Sequence, residues 1–268
     1  MRKLLLPAFV LSVIIASQGF AQDESDLASK LANPVASLIS VPFQANYDED
    51  IGPNEDGSVW RINIQPVIPI SLNERWNLIS RTILPVIDQR DVPINGMGES
   101  GIGDIVQSLF FSPKAPTSGG LIWGLGPVFL LPTATDDALG TEKWGIGPTA
   151  VALKQAGPWT YGALANHTES FAGDGDRTHV SNTFLQPFLT YITKTKTTIG
   201  LNTESSYDWN KEHWSVPINF TVNQLLKIGP QIIQVGGGVR YWADSPAAGA
   251  ENWGVRFQLT FLFPKRSG

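Results

Sequence analysis

The side chains with most chemistry in this chain recur at intervals of two or four, separated by apolar residues. Arg61 and Asn63 flank Ile62; Asn202, Glu204 and Asp208 alternate with Leu201 and Tyr207; Arg240 and Arg256 lie in Gly- and Val-bearing runs. Arg81 stands in a segment that is otherwise largely apolar. Residues i, i+2 and i+4 of an extended chain share a face. Arg61, Arg81, Asn63, Asn202, Glu204, Asp208, Arg240 and Arg256 therefore read as one polar lining, joined by Gln65, Gln186, Asn219, Asn223, Gln234 and Gln258. Guanidinium and carboxylate groups in a confined space can pair and fill it, or they can form a constriction that sorts solutes by charge and size. Both readings stay open on sequence alone. Glu204 and Asp208 would stand about 13 Å apart along their strand, a negative wall opposite a positive one made by Arg61, Arg240 and Arg256.

Covalent chemistry has little to draw on, because there are only three histidines and no cysteine. His167 shares the parity of Trp159, Tyr161 and Ala163, which turns it toward lipid or the interface. An interfacial lipid enzyme would need a serine nucleophile and an orienting group beside it. Asn166 and Thr168 are its neighbours, and no lipase signature surrounds it. No catalytic residue is assigned. Asp174-Gly175-Asp176 and the Asp48, Glu49, Asp50 cluster could attract divalent cations or bridge lipopolysaccharide through them. Neither has the spacing of a calcium loop, so both read as solvated acidic loops, with no metal site. Gly101-Ile102-Gly103 opens a strand rather than a helix, so it is no phosphate cradle and no cofactor is expected.

The elements that must hold these residues alternate in period two, the sheet signature. Trp60, Ile62, Ile64, Ile68 and Ile70 oppose Arg61, Asn63 and Gln65. Strands are expected over 38–47, 58–70, 76–87, 102–111, 121–131, 144–154, 159–168, 183–193, 197–209, 214–223, 231–242 and 253–263. The inward face of the third is the least defined, since both its faces are apolar. Tight turns and longer loops alternate between them, as in outer-membrane barrels. Each segment has roughly the 9–11 residues a tilted strand needs to cross the hydrocarbon. Trp60, Trp144, Trp209, Trp214, Trp242 and Trp253 fall at loop ends, and Trp76, Trp123 and Trp159 near turn ends. Two interfacial girdles are the expected result. Pro66, Pro85, Pro127, Pro148, Pro187 and Pro217 lie inside strands, where a missing donor calls for bulges or unpaired groups. The expected fold is all-β: a transmembrane antiparallel up-and-down β-barrel of about twelve strands, with a short N-terminal helical or irregular segment. A soluble β-sandwich leaves the apolar outer face unexplained.

Bulk properties bound the remainder. A net charge of −5 with no Lys/Arg cluster argues against a nucleic-acid partner. Nothing after residue 21 forms an uninterrupted run of roughly 18 apolar residues, so no transmembrane helix is expected. Residues 1–21 carry the parts of a secretory signal peptide: Arg2 and Lys3, an apolar stretch, and Gly19-Phe20-Ala21 for cleavage after Ala21. Residues 22–36, with Leu27, Leu31 and Val35 at intervals of four, read as a periplasmic tail in preference to a plug. The barrel then occupies 37–263, and 264–268 form a C-terminal tail behind the alternating Phe257, Leu259, Phe261 and Phe263.

Several stretches carry a family resemblance: LANPVASLISVPFQANYDEDIGP, NIQPVIPISLNERWNLISRTILPVI, GIGDIVQSLFFSP, GPVFLLPTATDDALGTEKWGIGPTAVALKQAGPWTYGALANH, NTESSYDW and GGVRYWADSP. They resemble a family of outer-membrane transporters grouped with proteins of the phenol meta-degradation pathway, sometimes mislabelled neuromedin U. The resemblance implies an outer-membrane barrel and a conduit for small compounds, aromatic or apolar ones among them. It brings no catalytic or ligand residue. The expected function is an outer-membrane channel or transporter for small molecules with a polar, charged lumen. The alternatives are a closed structural or adhesion barrel with partner-binding loops and, weakest, an interfacial lipid-modifying enzyme centred on His167. Expected partners are outer-membrane lipid and lipopolysaccharide, the barrel-assembly machinery and a small-molecule solute; the expected location is the bacterial outer membrane.

Overall fold

The computed structural model describes residues 26–264. The expected leader, its cleavage site and residues 265–268 lie outside the described residues. Fifteen strands form one antiparallel sheet. They are β1 (Ile39–Ile51), β2 (Gly57–Ile64), β3 (Val67–Ser71), β4 (Trp76–Arg90), β5 (Gly98–Ile102), β6 (Ile105–Pro113), β7 (Leu121–Leu131) and β8 (Lys143–Ala156). The series continues with β9 (Trp159–Gly173), β10 (Ser181–Ile192), β11 (Thr197–Thr203), β12 (Ser205–Asp208), β13 (His213–Ile228), β14 (Gln231–Asp244) and β15 (Trp253–Phe263). The pairs β2/β3, β5/β6 and β11/β12 are each one interrupted strand, so the sheet is a closed barrel of 12 strands. Closure runs through β1 and β15, from Ile39 opposite Phe263 to Tyr47 opposite Val255.

Proline and one extra residue account for the interruptions. Pro66 has no N–H to give and separates β2 from β3. Pro217 stands opposite Glu204, where the ladder between β11 and β12 lapses and only a long bond from Glu204 N to Pro217 O remains, at 3.4 Å. In β5/β6, Val86 pairs with Ile102 but Ile83 pairs with Val106, which leaves one residue too many on that side. This is a β-bulge opposite Pro85. Asp104, at the bulge, accepts from the backbone N–H groups of Thr133, Ala134 and Thr141 and from the Thr141 hydroxyl, which ties down the 132–142 loop.

Several strands outrun the expected bounds. Asp48 and Asp50 belong to β1, β9 continues to Gly173, β13 reaches Ile228, and part of the 88–100 loop is β5. The face of β4 that looks inward carries Asn77, Ile79, Arg81 and Ile87, as its pairing with Phe110 and Ser108 on β6 shows. Outward residues such as Ile62, Leu125, Leu201, Phe220 and Phe257 are exposed and apolar. Aromatic pairs stand at both rims. Tyr47–Trp60, Tyr241–Trp253 and Tyr207–Trp214 lie at the loop end, Trp76–Trp123 and Trp159–Tyr191 at the turn end.

The amino-terminal segment differs from the expected tail. A short helix over 26–31 and the chain to 38 pack inside the turn end of the barrel. Leu27, Ala28, Ala36 and Leu38 cluster with the inward Ile192, Leu225 and Leu262. Val35 enters a second cluster with Ile79, Phe110, Val151, Leu153 and Leu164. Gln155 Nε2 donates to Ser29 O at 2.8 Å, and Asn77 Nδ2 to Ser37 Oγ at 2.8 Å. Leu27 and Leu31 share one face of the helix and meet the first cluster, whereas Val35 lies beyond the helix and meets the second.

The parity generates a direct test. Cysteine at Ile62 or Leu201 is expected to react with lipid-soluble reagents, and cysteine at Asn63 or Asn202 with aqueous ones. Equal labelling of the two sets would show the faces to be reversed or mixed.

Candidate functional site

The lumen is built around Arg256, which is 1% exposed. Its Nη1 and Nη2 donate to both carboxylate oxygens of Glu204, at 3.0 and 2.7 Å, and its Nε donates to Asn46 Oδ1 at 2.7 Å. The two-pronged geometry matches a planar guanidinium to a planar carboxylate. Arg256 stands opposite Asn46 on β1 and Gly238 on β14. A side chain at Gly238 would put its Cβ 1.8 Å from Phe220 O, so the position is confined to glycine. The missing side chain also leaves the inward face beside Arg256 clear.

A second ion pair lies nearer the loop end. Arg240 Nε is 3.4 Å from Asp48 Oδ1, too poorly aligned to be a hydrogen bond, so the contact is ionic. Trp242 Nε1 donates to the same Asp48 oxygen at 2.9 Å, and the Arg240 guanidinium lies 4.7 Å from the Trp242 ring centre. Arg61 is within electrostatic reach of Asp48, and Arg81 of Glu204. Arg81 Nη2 donates to Gln65 Oε1 at 3.1 Å. Asn202 Oδ1 accepts from Asn219 Nδ2 at 2.9 Å, and Asn63 pairs with Gln44 across β1 and β2. Four arginines thus share the lumen with two carboxylates.

Asp208 is placed apart from this group. It sits at the rim, where its Oδ1 accepts from the backbone N–H of Asn210 and Lys211 and closes the β12–β13 turn. Two participants escaped sequence reasoning. Asp48 was assigned to a solvated loop and is instead a buried inward residue of β1. Its even parity with Gln44 and Asn46 was the available signal. Trp242 was assigned to a girdle. It stands two residues from Arg240 in the same unbroken register, so the parity that turns Arg240 inward turns the indole inward as well.

Below the charges lies a cavity of about 240 Å³, between the amino-terminal segment and the strands. Its lining mixes polar side chains, Gln65, Arg81 and Asn202, with the apolar Leu164 and Phe188, and Phe188 is the cross-strand partner of Asn202.

At the loop-end rim, Ser170 Oγ is 2.8 Å from His179 Nδ1, and His179 Nε2 is 2.6 Å from Glu169 Oε1. His167 approaches the other Glu169 oxygen at 3.4 Å and Thr183 Oγ1 at 2.9 Å. The set has the composition of a hydrolytic triad. Ser170, however, is buried, and its oxygen accepts from Val180 N at 2.9 Å. The arrangement fastens the 174–180 loop to its strand. Nearby, Arg177 Nε pairs with Glu142 Oε2 at 3.1 Å. Desolvation, then a hydrogen bond with Asp137, raises the Glu142 carboxyl above the usual carboxylate range. Among the described residues no group of three or more metal-binding side chains is assembled.

Removing one member of the central pair tests its weight. Arg256→Ala strands Glu204 in the lumen and is expected to cost about 3–5 kcal/mol, seen as a lower temperature for the heat-induced gel shift. A double variant, Arg256→Leu with Glu204→Leu, is expected to recover most of that loss. An additive double variant would show that the two residues act independently.

No family model matches the chain, and no curated protein is similar to it. Among solved structures, the COG4313 outer membrane channel from Pseudomonas putida F1 superimposes with a TM-score of 0.65 at 14% identity, over 85% of this chain and 96% of that one. The β domain of the Bordetella autotransporter BrkA gives a TM-score of 0.45 at 13% identity, covering 84% and 100% of the two chains. OprB of Pseudomonas putida gives 0.34 at 8% identity, covering 85% and 92%. The first of these likenesses shows the fold: a closed antiparallel β-barrel of 12 strands.

Proposed function

We propose that the chain is a channel for small solutes in the bacterial outer membrane, with selectivity set by its lumen arginines. The observation that carries this reading is the charged network of Asp48, Arg61, Arg81, Glu204, Arg240 and Arg256 inside a barrel whose outer face is apolar. A barrel needing only to be filled could use apolar side chains, as its lower half does. The excess of arginine over carboxylate favours anionic and polar solutes and penalises cations. Export, fractionation with the outer membrane and a mature start at Gln22 follow from this reading, with lipopolysaccharide around the loop end and barrel-assembly machinery inserting the chain. The grouping with phenol meta-degradation proteins rests on the sequence resemblance alone. Aromatic solutes belong to the proposal on that footing.

The amino-terminal segment is the natural obstruction. It occupies the turn end, so conduction requires that it shift or leave a path beside it. In planar bilayers, protein lacking residues 22–36 is expected to conduct more than the full chain. Arg240→Ala is expected to move the cation-to-anion permeability ratio upward by roughly two- to five-fold while folding survives. Background conductance in both proteins, with Arg240→Ala less stable, would favour the closed structural barrel instead. Liposome swelling with sugars, amino acids and aromatic acids would then rank the solutes.

A further inference from the structure

The cavity beneath the charge network has a feature the channel reading does not use. Of the four lumen arginines, Arg81 is the one that lines it. Its guanidinium gives a single hydrogen bond, to Gln65, out of five N–H donors. Among the described residues no carboxylate lies within ion-pair distance of Arg81. Glu204, the acid in electrostatic reach, is held on both oxygens by Arg256. Arg81 is thus a lumen cation whose charge is only partly answered.

The far side of the cavity, on β10 and β13, contains two further unanswered groups. Thr190 Oγ1 and Asn223 Oδ1 are buried without a hydrogen-bond partner, and both residues line the cavity. Unpaired buried polar atoms are costly, and a ligand that supplies the missing partner recovers that cost. Thr190 can donate its hydroxyl, and the Asn223 amide can turn to present N–H. Leu164 and Phe188 add an apolar surface, continuous with the cluster around Val35 and Phe110. A guanidinium with spare donors beside an apolar wall suits a molecule that is anionic at one end and apolar at the other.

We propose that this cavity is a binding site for small carboxylates with an apolar body. The carboxylate sits on Arg81, and the body extends across the cavity to Phe188 and Leu164. Neither half suffices alone: a bare carboxylate forgoes the apolar wall, and a neutral analogue leaves Arg81 unanswered. The proposal deepens the channel reading by naming a solute class, and it rests on that reading for how the solute arrives.

Calorimetric titration of the full refolded chain in non-ionic detergent tests it with 3-phenylpropionate, 3-phenylpropionamide and acetate as probes. The acid is expected to bind at least about tenfold more tightly than either comparison. Arg81→Gln is expected to reduce the acid to the level of the amide. Phe188→Ala is expected to weaken the acid and the amide alike and leave acetate unchanged. Heat-modifiable migration checks that each variant is folded. Should Arg81→Gln fail that check, Arg81→Lys reports in its place, with an expected loss of about threefold for the acid alone, because the ammonium keeps the charge but not the paired donors. Equal binding of acid and amide by the wild type, or undiminished acid binding by the folded variants, would overturn the proposal. Because the readout is binding, its failure leaves the conductance reading standing, and absent conductance leaves the site standing.

Discussion

The constraint on which the structure depends is that an apolar outer surface gives the backbone no water to bond. Every strand must then find partners on both sides, and the sheet can do so only by closing on itself. The pairing of β15 with β1 supplies that closure. Once closed, period-two alternation sends every second side chain inward with no choice in the matter. The polar residues that could not face lipid become the lumen. Arg256 and Glu204 are the sharpest case, since neither could be turned outward at mid-strand without stranding a charge in hydrocarbon.

The interior that results is divided along its axis. Its loop half is wide enough to hold arginines, carboxylates and the indole of Trp242. The turn half is apolar, with Ile79, Phe110, Val151, Leu153 and Leu164, and these surfaces would be wet in an empty barrel. The amino-terminal segment covers them. Its placement follows from the same hydrophobic driving force that would bury a helix in a soluble core. The apolar floor and the charged upper lumen are therefore complementary consequences of one chain lining both ends.

Much of this was legible in the sequence because barrel geometry is nearly forced by alternation. The strands, the inward parity of Arg61, Arg81, Glu204, Arg240 and Arg256, and the outward parity of Ile62 and His167 all follow from counting by two. Trp242 was equally open to counting: it lies two residues beyond Arg240 in an unbroken register, and the shift opposite Val216 comes only after it, at Asp244. The interfacial preference of tryptophan masked that parity. Asp48 was lost for a different reason: acidic residues near Gly and Pro resemble a loop until a partner two strands away, Arg240 on β14, offsets the cost of burial.

The amino-terminal segment shows the limit of local patterns most plainly. Leu27, Leu31 and Val35 declare an apolar stripe, and the stripe says that something must cover it. No local feature says what. The answers lie far along the chain: Ile192, Leu225 and Leu262 receive Leu27 and Leu31, and Ile79 and Phe110 receive Val35. A stripe without a partner and an apolar lumen without a filling are each incomplete. Considered together, they specify each other, and the cavity left where the fit is imperfect is lined by both Arg81 and Phe188.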